Sequence, residues 1–539
     1  MTHFLAKQKL QLLRALPLGS LLMVIPPYSA LAQAGSGVSE QLNANLTTLS
    51  GGPLSLQQVA LITLKNSPTL IQGTLGVQSA IAGAQMASSE FDIYTSVVGT
   101  TSQGRPAFTP DTDTQNLTFS LNKRFRTGIS TTVSAGISRA DNRIISQDTT
   151  NISQLNLNIT IPLLKGRGYV SAAASESSAR LQSQAVELNF YHGISKLLLA
   201  STNAYWDYKA ATKNLKIQQE SEQRIRNWIK TAKEGIKTKN QGIKLRASVG
   251  ASRIRAYLLD KQRNTIAAIE QLNSTKGALA VSTGISNKQF ANIGEPSEDF
   301  PYDWSGVLAR LEQQPMQHKW IAKAKEKRLD IQAAKLKQEA SAILLAKARR
   351  DVLPQLNFGL NATRRAYELG DGYNRYIDAL SSDTRGTNTG VSLTFVYPLG
   401  NNLAKGQRDL ANATYNINVI KTNDLQRTVS MQIEVNTGTL MRRLKEAVEA
   451  VKAVKLYGST LETSYNNSRN RLLDKPHLIL NLIDIEEKFT QANNNLVTSL
   501  QELAKAIAKL RYQTGTILTA VSMDIDELKL GDLSKLPRM

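Results

Sequence analysis

The sequence predicts an α+β chain of two internal repeats, in which alternating strands run straight into helices far longer than a globular domain needs. Three observations carry this. An alternating strand ends in Pro-Leu twice: Leu155, Leu157, Ile159 and Ile161 lead into Pro162 and Leu163, and Val391, Leu393, Phe395 and Tyr397 lead into Pro398 and Leu399. After each junction about 70 residues keep helical periodicity without a proline, which is about 100 Å of helix at 1.5 Å per residue. Aligning the two junctions brings other features into register, the signature of a repeat architecture.

Residues 1–34 read as a secretory signal peptide. Lys7, Lys9 and Arg14 precede an apolar stretch from Leu16 to Ile25, and Ala32-Gln33-Ala34 has the small-x-small pattern of a cleavage site. Pro17, Pro26 and Pro27 leave the apolar run too short to span a bilayer. An N-terminal segment, 35–53, follows. No later stretch holds 18 consecutive apolar residues, so an exported chain of this kind is either soluble or a β-barrel.

The first repeat spans 54–290 and the second 304–518, with a linker at 291–303 and a tail at 519–539. Each opens with a helix, near Asn66-Ser67-Pro68 and near Lys327-Arg328-Leu329, that ends near Phe91 or Asp351. Strands follow within about 92–162 in the first repeat and at about 354–364 and 390–398 in the second, where a polar loop from Glu368 to Gly390 separates them. Long helical hairpins then occupy about 168–284 and 404–515. They turn near Lys239 to Gly242 and near Asp474 to His477, and they end on Gly284 and Gly515, suited to cap a helix C-terminus. Apolar residues at intervals of three and four, such as Leu482, Ile485, Phe489, Ala492, Leu496, Leu500, Leu503, Ile507 and Leu510, form a seam for a neighbouring helix.

The first repeat carries four candidate strands against two in the second. It is about 25 residues longer up to its Pro-Leu, the length of one hairpin turning at Arg126-Thr127-Gly128. That additional hairpin is expected either to join a barrel wall or to stand beyond it. Four to six strands cannot enclose a solute-conducting lumen, since about eight only make room for packed side chains. Several chains must share one barrel.

Net charge is +22 with a pI near 9.8. The basic residues are spread along helices without an aromatic stacking cluster, which argues against a nucleic-acid partner. Cysteine is absent, removing disulfides, thiolate chemistry and the acylation site of a lipoprotein anchor. His3, His192, His318 and His477 fall in unrelated segments, and no HExxH, GxSxG or GxxxxGK[ST] motif occurs. Lys165-Gly166-Arg167-Gly168 lacks the phosphate-loop spacing and reads as a flexible corner. No enzyme activity, catalytic residue, metal site or cofactor is expected.

Several stretches resemble the TolC-like outer-membrane efflux factors. They are Leu329-Asp330-Ile331-Gln332-Ala333-Ala334 leading to Leu353-Pro354-Gln355-Leu356, the junction Pro162-Leu163-Leu164-Lys165-Gly166-Arg167-Gly168, the step Ala204-Tyr205-Trp206-Asp207-Tyr208, and Leu503 through Leu510-Arg511-Tyr512-Gln513-Thr514-Gly515. Their order and spacing cover about Leu54 to Leu518. The resemblance implies a homotrimer whose strands form one β-barrel in outer-membrane lipid, continuous with a long periplasmic α-helical barrel. It implies an exit duct for efflux or type I secretion, docked through its helical tips onto a periplasmic adaptor protein and an inner-membrane pump of the resistance-nodulation or ABC type. The tips correspond to Lys239, Asn240 and Gly242 and to Asp474, Lys475 and Pro476. Two family aspartates that ring the periplasmic entrance match Asn481 and Asp484, and a basic gate residue matches His477, so one acidic position is lost here. Otherwise Asp484 continues an acidic face with Glu486 and Glu487. The alternative for the whole chain is a trimeric adhesive or structural surface protein with a coiled-coil stalk.

Overall fold

The computed structural model describes residues 51–104, 112–142, 149–236, 241–301, 316–370, 385–468, 476–522 and 528–537, with Leu308 and Arg375. The signal peptide and nearly all of the N-terminal segment lie outside them. The chain divides into two units, of which the first, Met1–Thr48, is likewise outside, and every described element belongs to the second, Leu49–Met539.

Helix α1, Leu56–Asn66, starts at a capping box in which Ser55 Oγ accepts from the Gln58 amide at 3.2 Å and Gln58 Oε1 accepts from the Ser55 amide at 2.8 Å. A break at Ser67 leads to α2, Pro68–Ser88, with proline in its first turn where no donor is lost. Strands β1, Ile93–Gly104, β2, Thr112–Arg124, β3, Ser130–Asn142, and β4, Thr150–Pro162, follow. Then come α3, Ala174–Ile236, and α4, Gln241–Thr283. The second repeat has α5, Gln317–Lys327, a break at Arg328, α6, Leu329–Asp351, β5, Gln355–Leu369, β6, Arg385–Val396, α7, Asn402–Ser468, and α8, Pro476–Gln513. The 63 residues of α3 and 67 of α7 make about 95 to 100 Å each. No described helix is long and apolar enough to cross a membrane.

The two repeats share their terminal packing. Gly284 and Gly515 have φ of +74° and +67°, and the Ile285 and Thr516 amides reach back to the Ala280 and Arg511 carbonyls at 2.9 Å each. Each glycine is pressed on the helix break of its own repeat: a Cβ on Gly284 would meet the Asn66 carbonyl oxygen at 2.5 Å, and one on Gly515 the Lys327 carbonyl carbon at 3.0 Å. The buried hydroxyls of Thr283 and Thr514 bond back into the last turn beside them.

All six strands form one antiparallel sheet in sequence order, β1 to β6. The additional hairpin is β2–β3, and both its strands lie within the sheet, paired with β1 on one side and β4 on the other. It is therefore not an excursion beyond the sheet. β5 and β6 run further than their apolar alternation, so Glu368 and Thr387 to Gly390 are strand residues and the polar loop between them is shorter than the sequence suggested. The outer end of β6 is polar and that of β5 mixed, without the alternation of the inner halves, so it is the backbone ladder that marks them as strand.

A core of buried residues joins the repeats around Leu198, Tyr205 and Trp206 of α3, Ile433, Leu440 and Leu444 of α7, and Leu503, Ile507 and Leu510 of α8. Trp206 stacks on Phe300 with centroids 5.4 Å apart. The linker is packed here: Leu54 bridges to Pro296, the Tyr205 hydroxyl donates to the Leu54 carbonyl at 3.3 Å and accepts from the Glu298 amide at 3.1 Å, and Lys209 donates to the Pro296 carbonyl at 3.0 Å. Burial first, with Glu298 and Asp299 nearby, pushes the Tyr205 phenol up to about 12. In the tail, β7, Leu518–Ala520, pairs with β8, Lys529–Leu530.

The strand-to-helix corner after Pro162 and Leu163 is pinned. The Leu163 amide donates to the Leu356 carbonyl at 2.7 Å, and the Gly168 amide to Thr127 in the β2–β3 turn at 2.9 Å. Gly128, Gly166 and Gly168 all have positive φ, and a Cβ on Gly128 would collide with the Gly166 carbonyl oxygen. From the same turn Arg126 grips the buried carboxylate of Glu176, with Nε and Nη2 at 2.7 and 2.8 Å, while Arg180 reaches it at 2.5 Å. The corner after Pro398 and Leu399 is tied by Asn401, at φ +46°, whose Nδ2 donates to the Val352 carbonyl at 2.9 Å. Leu399 itself is 96% exposed.

The Arg126 hydrogen bond, against the opposing effect of burial, holds Glu176 below its ordinary pKa of 4.5. A depressed folded-state pKa means the clamp contributes fully above about pH 4.5 and is lost as pH falls further. The melting temperature of Glu176→Gln should therefore lie below that of the parent at neutral pH, and the gap should close in acid. A pH-independent gap would show that the clamp acts through packing alone.

Candidate functional site

The turn between α7 and α8 contains Asp474 and Lys475, which lie outside the described residues, as do Lys239 and Asn240 of the other turn. Gly242 is in the first turn of α4 and Pro476 opens α8, where its missing amide hydrogen costs nothing. His477, Asn481 and Asp484 follow in α8 at spacings of four and three, which places them on one helix face. Asn481 and Asp484 are both exposed. One turn further on, Lys488 Nζ sits 3.0 Å from Asp484 Oδ2, so the carboxylate has a cationic neighbour on its own helix.

Glu486 does not share that face. It is fully buried, whereas Glu487 is exposed, so these carboxylates and Asp484 do not make one acidic stripe. Glu486 Oε1 accepts from Ser221 Oγ at 2.7 Å, Thr490 Oγ1 at 3.0 Å and Arg224 Nη2 at 3.0 Å, and Oε2 accepts from Arg224 Nε at 3.2 Å. The Arg224 guanidinium lies 5.2 Å from the centre of the Phe489 ring. From α4, buried Lys261 lies over the Tyr257 ring at 4.9 Å. Burial pushes the Lys261 ammonium below its usual pKa and the Tyr257 phenol above its own, while Glu486 and Glu487 favour the charged ammonium. Beneath lies an apolar floor of Ile225, Trp228, Ile254, Leu461 and Leu482.

This cluster ties the second-repeat helix carrying Asp484 to the first-repeat hairpin. Sequence reasoning missed it, although one signal was available: Glu486 stands four residues after buried Leu482 and four before buried Thr490, in phase with the seam. Replacing Glu486 by Ala leaves Arg224 and Ser221 without this acceptor and Thr490 with only Ser221 Oγ at 3.3 Å, and breaking a buried charge pair in this way costs about 3 to 5 kcal/mol. Glu486→Ala should lower the thermal unfolding midpoint clearly, while Glu487→Ala, on the exposed face, should leave it nearly unchanged. Equal small effects would mean the cluster carries little energy.

No protein-family model matches the sequence, and no curated protein does. Solved structures do match. The outer membrane protein VceC of Vibrio cholerae is 16% identical, with 85% of this chain and 96% of that one covered and a TM-score of 0.57. The CmeC outer membrane channel of Campylobacter jejuni is 13% identical, covering 85% of both chains at a TM-score of 0.54. The MtrE outer membrane channel of Neisseria gonorrhoeae, in its open state, is 14% identical over 85% of this chain and 88% of that one, at a TM-score of 0.52. With TM-scores of 0.52 to 0.57 over 85% or more of both lengths, the chain has the fold of the TolC-like outer-membrane channels.

Proposed function

We propose that the protein is a passive outer-membrane exit duct, a homotrimer that works with a periplasmic adaptor and an inner-membrane pump of the resistance-nodulation or ABC type in efflux or type I secretion. The observation that carries this reading is a two-faced sheet joined at pinned corners to paired long helices. One face of the sheet bears Val97, Phe119, Leu121, Val133, Leu157, Leu360, Val391 and Leu393, and the other bears Ser96, Ser120, Ser134, Asn156, Thr363 and Asn388. Such a sheet suits a wall with lipid outside and water inside. The helices return on themselves in two hairpins, which a coiled-coil stalk has no use for.

Trimer formation is supported by apolar stripes that the single chain leaves uncovered. On α7, Leu403, Leu410 and Ile417 recur every seven residues at 77%, 70% and 49% exposure. On α4, Leu259 and Ile266 do the same. Seven-residue spacing is that of a helix seam, and each such side chain contributes about 1.5 to 3 kcal/mol when buried. In the trimer the entrance is assigned to Asp484, Asn481 and His477 and the adaptor contacts to the two hairpin tips.

Mass measurement on the detergent-extracted protein should give three copies, and Leu410→Glu combined with Ile417→Glu should shift it towards smaller species. A stable monomer of the parent protein would end the shared-barrel reading. At the entrance, three Asp484 carboxylates attract cations and the Lys488 ammonium groups offset them. In single-channel recordings Asp484→Asn should lower cation selectivity and weaken block by multivalent cations. Asn481→Asp and Lys488→Met should each strengthen both. No change in any of the three, with the trimer intact, would remove these residues from the entrance.

A further inference from the structure

The second repeat contributes two strands to the sheet and the first contributes four. Two strands per repeat would give a trimer twelve; the six found give eighteen. We propose that the β2–β3 hairpin is an insertion into the first repeat that forms part of the wall, so that three copies close an eighteen-stranded barrel half as wide again as a twelve-stranded one. This rests on the trimeric duct proposed above.

The pairing supports it first. Twelve residues of β2 face β1 from Gly104↔Thr112 to Ile93↔Lys123, and on its other side β2 is in register with β3 from Thr112↔Asn142 to Arg124↔Ser130. β3 then pairs with β4 from Ser130↔Thr160 to Ala140↔Thr150. A hairpin standing outside the wall would leave β1 beside β4; here the inserted strands separate them completely.

The side chains agree. Leu117, Phe119 and Leu121 of β2 and Val133, Ala135 and Ile137 of β3 fall on the apolar face, in rows that cross the whole sheet: Thr95, Leu121, Val133, Leu157, Ala362 and Thr389 form one such row. On the other face Thr118, Ser120, Ser134 and Ser138 continue the hydroxyl and amide lining of their neighbours. Either face of this hairpin would be in the wrong solvent anywhere but in the wall. Its turn is held against the strand-to-helix corner by the Gly168 to Thr127 hydrogen bond and by Arg126 on Glu176, so the inserted strands start at the same level as the rest.

Closure follows from the parity of the strands. All five pairings are antiparallel, so β1 and β6 run in opposite directions and β6 of one copy can pair antiparallel with β1 of a second copy. An even strand number per chain keeps this true for every junction round the ring. Because barrel diameter rises roughly linearly with strand number, eighteen strands enclose about 1.5 times the diameter of twelve, in the range where porins keep an open aqueous channel. Size discrimination then falls to the helical end of the duct.

Single-particle imaging of the lipid-embedded protein tests this, with copy number taken from its mass. Three copies and eighteen wall strands are expected. A trimer with twelve wall strands overturns this inference and leaves the duct reading standing, whereas a copy number other than three overturns both. A second measurement uses the absence of native cysteine. In lipid-embedded protein, Phe119→Cys and Val133→Cys should resist a membrane-impermeant maleimide, while Ser120→Cys and Ser134→Cys should react at least tenfold faster. Equal labelling of all four would place the hairpin outside the wall and overturn the proposal.

Discussion

A sheet with one apolar face, one polar face and two open edges is stable neither in water nor in lipid by itself, and much of this structure answers that constraint. Water penalises the exposed side chains of Val391, Leu393 and Phe395, and hydrocarbon penalises the unpaired backbone groups of β1 and β6. Closure with further copies, as proposed above, would meet both demands at once. The antiparallel meander permits that closure because its two edge strands run in opposite directions, and the apolar stripes on α4 and α7 extend the same need for partners into the helices.

The corners carry this requirement from sheet to helix. A strand and a helix meeting within a few residues must place main-chain atoms unusually close, and the positive φ angles of Gly128, Gly166, Gly168 and Asn401 are where that crowding is relieved. Hydrogen bonds from Leu163, Gly168 and Asn401 then leave little freedom at the joint. The Pro-Leu pairs stand at the strand ends without themselves cutting the ladder: the Leu163 amide carries it one step past Pro162, and β6 ends at Val396, two residues before Pro398.

Much of this plan was legible in the sequence because it rests on periodicity. Period-two alternation picked out the six strands of the large sheet but neither β7 nor β8, and the three-and-four spacing from Leu482 to Leu510 identified a seam that is buried at Leu482, Ala492, Leu500, Leu503, Ile507 and Leu510. Less legible were features without a period. The outer ends of β5 and β6 lack the alternation and show as strands through their backbone pairing, and the corner at Gly166 and Gly168 reads as flexible until the β2–β3 turn is seen resting on it. The proposed entrance assignment of His477, Asn481 and Asp484 rests on likeness to a family alone, and the chain itself adds Lys488 beside Asp484. The clip between Leu54, Tyr205 and the linker joins residues about 150 and 240 positions from Leu54, a separation no local pattern records.

Long helices packed through small residues face a problem that hydrophobicity does not solve: a seam repeating every seven residues is nearly as good after a slip of one repeat. Two buried carboxylates, Glu176 and Glu486, and the partly buried Asp330 stand along these helices where such a slip would be punished. Glu176 near the sheet is held by Arg126 and Arg180. Asp330 lies at the break of the second repeat, where burial opposes its charge but Arg328 at 2.6 Å and the neighbouring His192 together hold its pKa below the ordinary value. Glu486 near the far turn is held by Ser221, Arg224 and Thr490. A slip of α3 along its neighbours would part Glu176 from Arg126, Asp330 from His192, and Glu486 from Ser221 and Arg224, and a buried charge deprived of partners costs several kcal/mol. The Coulombic gain of such pairs is largely cancelled by desolvation, so their main consequence is for register. Register in turn sets the height of Asp484 relative to the tips, two residues along the chain from Glu486, and thus links the buried cluster to the proposed entrance.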